Sequence, residues 1–168
     1  MDAGAAVQGV HELDEIERRR LLDLYRDGAR DVAEVVALLS LSDLDRRAGG
    51  EWSAREVIHH IADAELIEGV RLRRIVAEDS PLLPWIDEEE HARRLHYERA
   101  IETSVDVFGA VVLANAALAA RLSDDEWLRT GRHSVSGTYS VEDWLRKMSQ
   151  HAHDHAAQML RAAGRGAI

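Results

Sequence analysis

Three of the chain's nine histidines fall in one short run, Gln150-His151-Ala152-His153-Asp154-His155-Ala156-Ala157-Gln158. His151 and His155 are four residues apart, so on a helix they share a face, with Cβ atoms roughly 5–6 Å from each other. Two imidazoles at that separation can converge on one cation at Zn–N distances of about 2.0–2.1 Å. Helical steps back from them reach Met148, Trp144 and Val141, and a step forward reaches Met159. Both rings therefore point into a core, where an uncompensated imidazole pair is costly. His153 projects to the other side and is expected at the surface.

A two-histidine site needs more ligands, and Ile58-His59-His60-Ile61-Ala62-Asp63 offers them. At 100° per residue the apolar arc of that segment centres on Val57, Ile61, Ala64, Leu72 and Ile75. His60 lies on the flank of the arc, whereas His59 points nearly the opposite way. Three neutral imidazoles from His60, His151 and His155, with water, would make an open site at which a metal activates water or binds a substrate atom. Four further residues are candidates for contact with the ligands or the substrate. Gln158, one turn beyond His155, could hydrogen-bond a ligand or serve as a polar residue at the core edge. Asp63, three residues after His60, could orient an imidazole from behind or stand as a surface acid. Glu68 falls within the apolar arc, so it needs a partner such as an arginine, or acts as a fourth ligand or general base. His133 lies in a loop that could cover the site, as a substrate contact or as an exposed residue.

Composition narrows the chemistry. The chain has 168 residues and no cysteine, which excludes a disulfide framework, a thiolate metal site and a cysteine nucleophile. The formal net charge is −10, which repels phosphate backbones and argues against a nucleic-acid partner. Twenty of the 21 basic residues are arginine, many set among acids as on solvated helix faces. The N-terminus lacks the basic and apolar regions of a signal peptide. The stretch from Val105 to Ala120 is interrupted by Asp106, Gly109 and Asn115, and reads as too short to span a bilayer of about 30 Å. A soluble, cytoplasmic protein of one domain over residues 1–168 is expected, with residues 1–10 flexible.

The elements that must position these residues are helical. Apolar stripes predict helices from about Leu13 to Ser40, from Ser53 to about Glu78, along Tyr97 to Leu122, and after Ser140. Ser53 with Glu56, and Ser140 with Asp143, have the spacing of capping boxes. No segment shows strand alternation. Four such helices pack most simply as an antiparallel bundle with long connections over 80–96, containing a short helix near Asp87–Arg94, and over 123–139. Trp52, Trp127 and Trp144 read as packing anchors, and Ser104 and Asn115 as hydrogen-bonding groups in the core.

At these residues the chain resembles the DinB-like superfamily of bacterial four-helix bundles, and within it the YfiT-like group. The resemblance is carried by Trp52-Ser53 opening the second helix, Glu56-Val57 and His60 before Ala62-Asp63, and Arg71-Leu72-Arg73-Arg74. It continues through Pro81-Leu82-Leu83-Pro84-Trp85, Thr130-Gly131-Arg132-His133 with Gly137, and His151, His155 and Gln158. It implies an all-α four-helix bundle of DinB/YfiT type and a divalent metal, zinc or nickel, held by His60, His151 and His155. It also implies a metal-dependent transferase that adds a low-molecular-weight thiol to a small electrophile, with a metal-dependent hydrolase or a non-catalytic metal-binding protein as alternatives. A homodimer is common in such proteins.

Overall fold

The computed structural model describes residues 13–47 and 50–165; the flexible segment expected at 1–10 lies outside them. Four long helices, α1 (Glu15–Leu38), α3 (Ala54–Ala77), α5 (Glu102–Ala119) and α7 (Val141–Ala162), form a bundle. Three short ones, α2 (Leu41–Leu44), α4 (Glu88–Arg94) and α6 (Asp124–Trp127), sit in the connections. The starts of α1, α3 and α7 are fixed by reciprocal capping boxes, Asp14 with Glu17, Ser53 with Glu56 and Ser140 with Asp143. In each, a side-chain oxygen accepts from one orphan backbone N–H while the acid three residues on accepts from another. α5 starts later than the stripe from Tyr97 suggests: Tyr97 and Ile101 are buried but precede the helix.

Around the bundle α1 touches α7 and α5, and α3 touches α5 and α7. Leu13 and Arg18 meet Glu142, while Asp31 meets His153, so α1 and α7 run parallel. His59 meets Ser104 and Gly69 lies against Asn115, so α3 and α5 are parallel as well. Glu68 meets Lys147, at the opposite end of α3 from His60, which sets α3 antiparallel to α7. The order is up-down-down-up, not the simple alternation expected from four consecutive helices. The chain must therefore return along the bundle between α3 and α5, which explains the long 80–96 connection. Two glycines permit close approach between helices. A Cβ on Gly28 would lie 2.7 Å from Ala152 Cβ, and one on Gly69 2.8 Å from Asn115 Oδ1.

The two long connections also contain strands that the sequence pattern does not reveal. β1 (Leu82–Leu83) pairs in parallel with β2 (Thr130–His133), which pairs antiparallel with β3 (Gly137–Ser140). Strands of two to four residues are too short for alternation to register. The sheet ties both connections together over one part of the bundle. α5 also departs from expectation. It is 18 residues long with mean hydropathy 1.3, enough by length and composition to cross a bilayer. In the fold it packs on α1 and α3 through Phe108, Val112, Ala116 and Ala119.

Among the described residues Glu65 is the acid with 0% exposure. Its Oε2 accepts from Tyr25 Oη at 2.6 Å and from Asn115 Nδ2 at 3.4 Å, while Oε1 has no partner. Burial pushes its pKa up to about 7, against the opposing pull of the Tyr25 and Asn115 hydrogen bonds. The native state thus binds a proton that the unfolded chain, with a carboxyl pKa of about 4.3, has released. This contribution to stability is present below about pH 4.3 and is lost as pH rises through about 7. Urea midpoints of the wild type should therefore fall between pH 5 and pH 8 relative to those of Glu65→Gln. Parallel pH profiles for the two proteins would refute this account of Glu65.

Candidate metal centre

His60 projects from the first half of α3, and His151 and His155 from the second half of α7, the two helices being antiparallel neighbours. One ligand nitrogen from each ring lies within 4.8 Å of the others. Ring centroids are 4.5 Å apart for His151–His155, 4.8 Å for His60–His155 and 5.7 Å for His60–His151. The face of α7 follows the stripe through Trp144 and Met148, both fully buried, as the helical spacing requires. Trp52, just before the Ser53 cap, stands edge-on to His60 at 5.1 Å and to Tyr97 at 6.3 Å, closing one side of the cluster.

The three rings are neutral at pH 7. Burial lowers the pKa of His60 to about 4, with His155 adding to the effect. Burial lowers His151 to about 2, again reinforced by His155, and burial also lowers His155. His155 Nδ1–H donates to Gln158 Oε1 at 2.7 Å, which fixes the tautomer and leaves the Nε2 lone pair free. His151 Nδ1 is buried with no hydrogen-bond partner. Neutral nitrogen donors grouped from two helices, one orphaned and one oriented by an amide, fit a divalent cation.

The remaining candidates divide by what they touch. Gln158 acts on His155 as above. Asp63 does not orient an imidazole of the cluster; it accepts from Tyr97 Oη at 2.7 Å, although it lies beside His60. Glu68 is no free ligand or base: its Oε1 accepts from Arg71 Nη1 at 2.7 Å and from Lys147 Nζ at 2.8 Å, and Tyr139 Oη reaches its Oε2 at 3.4 Å. His133, at the end of β2, lines a cavity of about 160 Å3 together with Glu68, Lys147 and His151. A surface cleft of about 750 Å3 runs past Trp52 and Tyr97, and none of the three histidines lines it.

Two neighbouring histidines differ from a simple helical wheel. His59 is fully buried rather than turned out, with Nδ1 2.8 Å from Ser104 Oγ and Nε2 3.1 Å from the Arg99 carbonyl. The segment around Tyr97 covers that side of α3, so both of its faces are buried. His153 is not a surface residue: it bridges to α1, with Nδ1 2.8 Å from Asp31 Oδ2 and Nε2 2.9 Å from the Leu24 carbonyl. Ser104 and Asn115 make the core hydrogen bonds expected of them, Asn115 also accepting from Arg73 Nη1 at 2.6 Å. Trp144 is buried edge-on to Tyr25 at 5.3 Å, while Trp127 stacks with Arg18 at 5.4 Å. Sequence reasoning missed Lys147, although one signal was present: it is the single lysine among 21 basic residues.

The fold and the cluster define a four-helix bundle with an inward-facing triad of histidines, one buried and two partly buried, drawn from two antiparallel helices. A sequence profile of the DinB superfamily matches residues 24–159, and the chain belongs to that superfamily. It is 32% identical over 117 residues to a protein of Oceanobacillus iheyensis named as a candidate metal-dependent hydrolase, covering 70% of this chain and 67% of the relative. It is 26% identical over 158 residues to YfiT of Bacillus subtilis, a protein named in the same way, covering 89% of this chain and 85% of the relative. The solved structure of YfiT superposes with a TM-score of 0.86 at 20% identity, covering 95% of this chain and 94% of YfiT. That structure is described as a four-helix bundle of unusual topology, in keeping with the helix order here.

His153 should behave as a structural residue. In His153→Ala, Asp31 and the Leu24 carbonyl lose their partner, which should cost about 1–3 kcal/mol in denaturant unfolding. The mutant should retain the native circular dichroism spectrum. An unchanged unfolding midpoint would contradict the bridging role.

Proposed function

We propose that the protein is a metal-dependent enzyme in which His60, His151 and His155 hold one divalent cation and a low-molecular-weight thiol attacks a small electrophile beside it. The observation that carries the reading is the trio of neutral, inward imidazoles whose ligand nitrogens lie within 4.8 Å of one another. Zinc or nickel suits such a donor set. Bound there, a divalent cation would lower the pKa of a thiol, about 8.5 when free, or of water, and so supply a nucleophile at neutral pH.

The chain's own residues would hold, orient and shield. Gln158 keeps the His155 lone pair aimed at the cluster. Trp52 shields one side of the cluster, edge-on to His60. The choice of thiol over water rests on Glu68. A hydrolase draws on a free base to manage the protons of water and leaving group, yet Glu68, the buried carboxylate of the cavity beside His151, is held by two cations. A thiol needs less help, because its first proton is easily lost. The chain has no cysteine, so the thiol must come from outside; the reducing cytoplasm is the compartment that supplies one. Hydrolysis is the second reading, favoured by the names of the Oceanobacillus and Bacillus relatives.

Tag-free protein loaded with zinc or nickel should conjugate monochlorobimane to bacillithiol, mycothiol or glutathione. His155→Ala should lose activity by about a hundredfold or more. Gln158→Leu should weaken metal affinity by about 10–100-fold while the fold persists. Full metal content with no turnover on any thiol would sink the transferase reading. Metal-dependent ester hydrolysis without thiol would replace it with the second.

A further inference from the structure

The cavity of about 160 Å3 beside His151 has a chemical character that the metal reading does not require. Part of its wall is apolar, formed by Ile67, Ile86 and Met148, and part is polar, formed by Arg71, His133 and Lys147. Two carboxylates also line it. Glu68 is spent, accepting from Arg71, Lys147 and Tyr139, and Glu88 is exposed on α4.

Apart from Glu88 at the exposed rim, the unused hydrogen-bonding capacity of the polar wall outside the histidine cluster consists of donors. Lys147 has three N–H donors, with one directed to Glu68. Arg71, buried beside it, has five, of which one goes to Glu68 and another to the Pro84 carbonyl. His133 is set by its own loop. Its Nδ1 accepts from the backbone N–H of Ser136 at 3.1 Å and of Val135 at 3.3 Å, with Ser136 Oγ at 2.9 Å. A neutral ring accepting at Nδ1 must carry its proton on Nε2, so its free nitrogen is a donor. The β2–β3 turn that makes these bonds thus selects the tautomer. The one lysine of an otherwise arginine-based chain stands at this wall, half exposed where the buried Arg71 is not. A compact ammonium on a flexible stem can turn from Glu68 to a ligand, which a rigid guanidinium fork does less readily.

We propose that this cavity is an anion subsite, in which Lys147, Arg71 and His133 seat the carboxylate of a small substrate whose apolar body rests on Ile67, Ile86 and Met148. The proposal rests on the histidine cluster being the reacting centre, since the subsite would hold the electrophile next to His151. The volume suits a compact molecule, displacing about five waters at roughly 30 Å3 each.

The test is calorimetric titration of chelator-treated protein with benzoate and with benzamide, its uncharged isostere. Removing metal first ensures that a carboxylate is not read through coordination. Benzoate should bind at least tenfold more tightly than benzamide, and should shift the His133 Nε2 resonance. Lys147→Met should abolish the preference, Lys147→Arg should keep most of it, and His133→Phe should reduce it severalfold. Equal binding of the two probes, no binding of either, or a preference that survives Lys147→Met would overturn the subsite. Metal content measured before chelation separates the two ideas. A stoichiometric metal without carboxylate preference refutes only the subsite, and a carboxylate preference in protein that never carried metal refutes only the centre.

Discussion

Bringing three imidazoles together, His60 buried and His151 and His155 partly so, is the constraint around which the other features are arranged. A neutral ring keeps a lone pair and an N–H that water would satisfy, and a buried polar atom left unpaired costs about 1–3 kcal/mol. His151 Nδ1 is such an atom, and burial holds all three rings neutral. The bundle offsets the cost with apolar burial on both helices: Val57 and Ile61 on α3, and Met148 and Met159 on α7, are inaccessible to solvent and bracket the histidines. A cation would turn the unsatisfied nitrogens into ligands and so offset the cost of grouping them.

The unusual helix order is what brings the three rings together here. Placing His60 opposite His151 and His155 needs α3 and α7 adjacent, although α5 lies between them in sequence. The return connection after α3 and the excursion before α7 then meet, and β1 pairs with β2 where they do. That small sheet carries His133 toward Glu68 and Lys147, so the connections that solve the topology also furnish one wall of the cavity. Trp52 closes the other side, placed by the Ser53 cap that starts α3.

Much of this was legible in the sequence, for physical reasons that can be named. Long amphipathic helices declare themselves through period and caps, so Ser53 and Ser140 mark the starts of α3 and α7. The i,i+4 pair of His151 and His155 fixes its own geometry once a helix is granted, and His60 follows from the apolar arc. Features that depend on tertiary contact were not legible. His59 and His153 look outward on an isolated helix, yet the Tyr97 segment and α1 cover them. The helix order is invisible to periodicity, and two- to four-residue strands leave no pattern. The partner of Asp63 was not legible because Tyr97 is 34 residues away. Glu65 and Lys147 carry no local motif at all, and only composition sets the lysine apart.

The central claim is that His60, His151 and His155 together hold a metal ion. Anomalous scattering from crystals of tag-free protein, recorded on both sides of the absorption edges of zinc and nickel, tests it most directly. The account predicts one strong peak bounded by the three imidazoles, lost in His60→Ala. A peak confined to the surface, or none at the cluster in metal-soaked crystals, would contradict it.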